Sequence, residues 1–139
     1  MRNDAFKAWV QRWNIGPGMN DLYMAEQKGQ TPPPNYTGFD GTVGKGWLPI
    51  LDWLAEELIA LGWNRGLDQV KEKFGTLRFY ARGLPADPVA RDACYARIMK
   101  AEQESAQTCE ECGKPGMLRS ERYWLLTLCA ACDAQRNGS

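Results

Sequence analysis

Four of the five cysteines stand in two tight pairs, Cys109-Glu110-Glu111-Cys112 and Cys129-Ala130-Ala131-Cys132, separated by sixteen residues. A C-x2-C pair puts two sulfurs on one side of an ion, and two pairs at this separation form the spacing of a zinc site. Zn²⁺ has no geometric preference of its own and is satisfied by a tetrahedron of thiolates. Four protein ligands close its coordination sphere, whereas a catalytic zinc keeps a position open for water. The expected role of one zinc ion on Cys109, Cys112, Cys129 and Cys132 is therefore structural. Iron takes the same ligands in a rubredoxin-like site, but a second knuckle of that kind asks for glycine where Asp133 stands. Redox C-x-x-C pairs belong beside a βαβ pattern, and none is evident. Disulfides are disfavoured in a reducing cytosol.

Gly113 follows the first pair, where a knuckle needs a residue tolerant of positive φ. Met117 and Leu118 can open a short strand. Tyr123 to Leu128 form its return, with Trp124, Leu126 and Leu128 alternating against Tyr123, Leu125 and Thr127. The second pair opens a helical turn. Knuckle, hairpin and ligands at a helix start together resemble a treble-clef or zinc-ribbon module.

The 17 basic and 17 acidic residues cancel, and histidine is absent. Zero net charge exerts no general pull on nucleic acid. Without histidine the chain lacks the commonest general acid/base near neutral pH. Ser-His-Asp and Cys-His catalysis, HNH-type nuclease sites and histidine-ligated catalytic zinc are all excluded. No apolar run is long enough to span a bilayer, and residues 1–6 lack a signal-peptide core. The expected location is the cytosol.

The elements that must carry the cysteines follow in chain order. Phe6, Trp9, Val10 and Trp13 fall at i, i+3, i+4 and i+7, predicting a helix with its apolar stripe in the core. Asn3 or Asp4 can cap it, and Asn20 or Asp21 can cap a short second helix through Lys28. Residues 29–46 form a long irregular stretch containing Pro32-Pro33-Pro34. Gly41-Thr42-Val43-Gly44-Lys45-Gly46 lacks the spacer and the hydroxyl residue of a phosphate loop. Residues 47–61 predict a helix with Pro49 in its first turn, Leu51, Leu54, Leu58 and Leu61 on one face, and Gly62 as its stop. Asp52, Glu56 and Glu57 lie off that face. A solvated acidic face explains them best; a carboxylate and divalent-metal nuclease is the distant alternative.

Residues 69–82 predict a β-hairpin turning at Phe74-Gly75. If Val70 pairs with Phe79, then Lys71 lies opposite Arg78, and Lys71, Lys73, Arg78, Tyr80 and Arg82 form a basic outer face. That face is a candidate phosphate-binding surface. The same register puts Glu72 on the apolar side, opposite Leu77, where a carboxylate needs a partner. It demands either a buried cation near Glu72 or a different register. Asp87-Pro88 starts a last long helix, expected to reach about Gln107, with Val89, Ala90, Ala93, Cys94, Ile98 and Ala101 inward. Cys94 is then a small buried hydrophobe.

The run Val70-Lys71-Glu72-Lys73-Phe74-Gly75-Thr76-Leu77-Arg78-Phe79-Tyr80, with Gly46-Trp47 ahead and Cys109, Cys112, Gly113, Cys129 and Cys132 behind, resembles a family of small bacterial, phage and prophage proteins. That family shares a KEKFG-x-LRFY segment and a C-terminal CxxCG…CxxC. The likeness spans residues 46–132. It implies a mobile-element setting and a zinc module. It carries neither an established activity nor catalytic residues.

The expected fold is α+β. A body at residues 1–108 holds three to four helices around an antiparallel hairpin, and a four-cysteine zinc module at residues 109–139 docks on it. The expected function is non-enzymatic: binding of a host or phage macromolecule, foremost a protein, as a host-takeover or anti-defence factor would. The tryptophan-rich composition agrees with that reading. No catalytic residue, membrane or small-molecule substrate is expected. The alternative is a nucleic-acid-binding accessory protein using the basic hairpin. Cys109→Ser and Cys129→Ser should lose bound zinc and unfold the C-terminal module, because metal-binding energy is folding energy there. Cys94→Ser should keep its zinc, as measured by metal analysis of the purified variants.

Overall fold

The computed structural model describes residues 2–16, 26–29, 43–121 and 125–137. The elements are α1 (Arg2–Trp13), a 3₁₀ turn (Lys45–Trp47), α2 (Leu48–Ala60), β1 (Gly66–Lys73), β2 (Thr76–Arg82), α3 (Pro88–Ser105), β3 (Met117–Arg119), β4 (Leu126–Leu128) and α4 (Ala130–Asn137). The strands form two separate antiparallel pairs, β1 with β2 and β3 with β4. This is the expected α+β architecture. The expected cap at Asn20 or Asp21 and most of residues 29–46 lie outside the described residues.

The core follows the apolar periodicities. Phe6, Trp9 and Val10 on α1, and Leu51, Leu54 and Leu58 on α2, are buried in one cluster with Trp47, Trp63, Leu67, Val70, Leu77 and Phe79. Phe79 meets Trp9 edge-on at 6.3 Å and Trp63 at 6.0 Å between ring centroids. Such pairs add directional attraction to the burial of large rings. Five of the six tryptophans take part in this packing or in hydrogen bonds. Trp9, Trp47 and Trp63 lie in the core. The Trp13 indole donates to Asp52 Oδ1 at 3.0 Å, and the Trp53 indole to Glu104 Oε2 at 3.2 Å. Tryptophan content thus reflects packing among these five. Trp124 lies outside the described residues.

Several details depart from expectation. The backbone of α1 is already helical at Arg2, ahead of the expected caps Asn3 and Asp4. Strand β1 starts at Gly66, ahead of the expected Gln69, and carries a bulge between Leu67 and Gln69. Helix α3 ends at Ser105, two residues short of Gln107. Its buried side is Cys94, Ile98, Ala101 and Ser105, and Val89 is exposed. At 100° per residue Val89 lies about 140° around the helix from Cys94, off the buried stripe.

The hairpin register is the expected one, with Val70 against Phe79, Lys71 against Arg78 and Glu72 against Leu77. Glu72 is reconciled with it by the turn. Its Oε2 accepts the Gly75 N–H at 2.7 Å, so a backbone donor supplies a partner for the carboxylate. The free edge of β2 is covered by α3. Leu77 N–H donates to Ser105 Oγ at 2.8 Å and Phe79 N–H to Glu102 Oε2 at 3.1 Å. Side chains of a helix thus satisfy an edge that would otherwise template another strand.

The turn itself is strained. Phe74 has φ 55° and Gly75 φ 85°. A two-residue turn with both φ positive matches the strand twist but favours Asn-Gly or Asp-Gly. A bulky aromatic at the first position crowds its own carbonyl at a cost of about 1 kcal/mol. Phe74→Asn, which suits that conformation, should fold at least as stably as the wild type. A gain of up to about 1 kcal/mol in a urea titration is expected.

Candidate metal centre

Cys109 and Cys112 sit in a knuckle that its own backbone builds. The Gly113 N–H donates to Cys109 O at 2.9 Å, and the Cys109 N–H to Lys114 O at 2.8 Å. Gly113 takes φ 83°, the left-handed backbone expected of it. The chain then turns into β3. Pairing of Met117 with Leu128 and Arg119 with Leu126 brings β4 back to Cys129. Helix α4 starts at Ala130, and the Asp133 N–H donates to Cys129 O at 3.0 Å. The second pair therefore rides on a helix start, unlike the twin knuckles of a rubredoxin-like site. Asp133 occupies a helical position where glycine has no purpose.

The four Sγ atoms all lie within 4.8 Å of one another, with Cys112 and Cys129 3.6 Å apart. Among the described residues this is the one group of histidine, cysteine or acidic side chains placed to hold a metal ion. Cys109 is buried and Cys112 is exposed, so the site lies at the surface with one wall against the body. The Cys132 N–H points at Cys129 Sγ at 3.4 Å. Together with the neighbouring thiols it holds the Cys129 thiol down to about 7. Cys132, hydrogen-bonded to that sulfur and crowded by the others, is pushed up to about 12. A cation in the midst of the four sulfurs removes the conflict between Cys129 and Cys132. Cys94 lies apart, buried in the body's core, as expected of a small hydrophobe.

The expected alternation in the return strand breaks at Thr127. Leu126, Thr127 and Leu128 are all buried. The Thr127 hydroxyl donates to Gly75 O at 2.7 Å, while its carbonyl accepts the Glu110 N–H at 3.0 Å. One residue thus joins the metal knuckle to the tip of the β1–β2 hairpin. Tyr123 and Trp124 lie outside the described residues.

A second junction was invisible in the sequence. Glu110, between the first two cysteines, is fully buried. Its Oε2 accepts the Gly44 N–H at 2.8 Å, and its backbone carbonyl the Gly46 N–H at 2.7 Å. The Trp47 indole donates to Thr108 O at 2.9 Å. A Cβ on Gly46 would stand 2.2 Å from Cys109 O, and one on Gly44 2.4 Å from Glu110 O. These glycines permit a backbone-to-backbone approach. The Gly-x-Gly-Trp run at 44–47 was the available signal, but nothing local identifies its partner.

The other candidates separate. The Asp52 carboxylate takes both oxygens to Arg12 Nη1, at 2.6 and 2.7 Å, as well as the Trp13 indole. Glu57 pairs with Arg97 at 2.5 Å, and Glu56 is exposed. These carboxylates address different elements instead of converging. On the hairpin, Lys71 lies opposite Arg78, and its Nζ stands 5.8 Å from the Tyr80 ring centroid. Lys73 Nζ lies 5.6 Å from the Phe74 ring. Arg82 differs from the rest of the expected basic face, since Asp68 pairs with it at 3.2 Å. The face is therefore shorter than expected.

Comparison with protein-family models, curated proteins and solved structures finds no match. Gly46→Ala tests the junction directly. It should destabilise the protein by about 2–3 kcal/mol through forced backbone displacement. It should also speed metal loss to a chromogenic chelator, although residue 46 is no ligand.

Proposed function

We propose that this chain is a non-enzymatic, zinc-stapled binding protein whose partner is another protein. The observation that carries the reading is the closed four-thiol cluster, with all Sγ atoms within 4.8 Å of one another. A Zn–S bond of about 2.3 Å gives a tetrahedron of about 3.8 Å edge, and four thiolates leave no position for a reacting water. The 3.6 Å separation of Cys112 and Cys129 fits such a tetrahedron. Soft thiolates also select against magnesium, calcium and manganese. Zinc here staples a module to the body and leaves chemistry to no one. With Asp52 and Glu57 engaged in structural ion pairs, surface recognition is the function that remains best supported.

The resemblance carried by the KEKFG-x-LRFY segment supports a phage or prophage setting. In that setting the partner is a host protein in the bacterial cytosol, and the binding takes over or disarms it. No helix among the described residues is long and apolar enough to cross a membrane. A second reading, nucleic-acid binding, is favoured by one observation. Lys71, Lys73 and Arg78 have no carboxylate partner among the described residues. Affinity capture with the tagged, zinc-loaded protein from bacterial lysate, with and without nuclease, separates the two. A discrete protein that survives nuclease is expected. Recovery solely of nuclease-sensitive material transfers the function to nucleic acid.

A further inference from the structure

The strained turn and the metal hairpin meet at one exposed spot. Phe74, held at φ 55°, is 64% exposed. Leu118 of β3 is 43% exposed, and its Cδ1 lies 2.6 Å from where a Gly75 Cβ would stand. Glycine at 75 therefore lets the metal hairpin close against the turn, with Leu118 on the residue that follows Phe74. The Thr127-to-Gly75 hydrogen bond locks that arrangement. A large apolar ring kept exposed at a strained position lowers stability, so its benefit lies outside the fold.

From this apolar end a positive strip runs up the hairpin's outer face. It consists of Lys73 beside Phe74, then Lys71 opposite Arg78, then Tyr80. From Thr76 to Tyr80 the strip runs about 14 Å along β2, the rise of four extended residues.

We infer that this strip docks a short acidic segment of the partner protein, its apolar anchor seated on Phe74 and Leu118. The inference rests on the protein-binding reading above. Charge complementarity selects the occupant. Three cations without a carboxylate partner among the described residues ask for acceptors, and exposed aromatic and aliphatic carbon ask for an apolar anchor. A nucleic-acid backbone fits less well, because the positive strip is interrupted. Glu102 shares a cleft of about 320 Å³ with Arg78, and Asp68 neutralises Arg82. A phosphate at every step meets those carboxylates, whereas a peptide places its charges selectively.

The test uses the zinc-loaded full chain and fluorescence anisotropy. The probes are a short acidic peptide ending in Leu-Phe, the same peptide ending in Ser-Ser, and a short oligo-dT. The Leu-Phe peptide should bind about tenfold more tightly than either control. Phe74→Asn should lose about tenfold, the scale of an interface anchor, while melting no earlier than wild type. Arg78→Gln should weaken binding and flatten its salt dependence. Equal binding of the two peptides, or no loss in Phe74→Asn, overturns the inference. Tightest binding of oligo-dT assigns the strip to nucleic acid instead. A nuclease-resistant lysate partner held equally by wild type and Phe74→Asn removes this surface but leaves the protein-binding reading standing. The absence of such a partner removes that reading itself.

Discussion

The backbone of Gly46 lies so close to that of Cys109 and Glu110 that a single methyl group cannot enter between them. Most of what is distinctive here depends on that approach. Glu110 inserts its carboxylate under the Gly44 amide, and Trp47 follows directly into the core while reaching back to Thr108. The first two cysteines are thus seated on the same stretch that begins α2. The four-thiol cluster at the surface and the packing at the centre share one set of hydrogen bonds, so neither is independent of the other.

Thr127 supplies the complementary link from the other side of the module. Its two polar groups satisfy the Gly75 carbonyl and the Glu110 amide. Both would be costly to bury without partners. The β1–β2 hairpin gains a fixed tip by this means, and Glu72 stabilises the same turn from within. Helix α3 closes the opposite edge through Ser105 and Glu102. A two-stranded ribbon is marginal alone in water. This one is held at its tip by the metal module and along its edge by a helix, which makes its outer face a rigid platform.

The charged residues divide on the same logic. Arg12 with Asp52, Arg97 with Glu57 and Arg82 with Asp68 join separate parts of the chain. Partly exposed pairs of this kind contribute little stability each, yet they remove those carboxylates from any common site. Lys71, Lys73 and Arg78, without a carboxylate partner among the described residues, share the hairpin's outer face beside the one aromatic side chain in its strained exposed turn.

Much of this was legible in the chain. The cysteine spacing specified which four thiols converge, because the geometry of each pair is a local property of a short turn. The apolar periods specified α1, α2 and the hairpin register, because 3.6- and 2-residue repeats record which side faces the core. Tertiary structure alone decided the rest. Glu72 looked like a register error until the turn amide appeared as its partner. Glu110 looked like a surface residue between two ligands until residues 44 and 46 were seen to cover it. Thr127 looked like the polar side of an alternating strand until the hairpin tip arrived against it. In each case the partner lies across a turn or far along the chain, and no local pattern encodes a hydrogen bond whose other half is supplied by the fold.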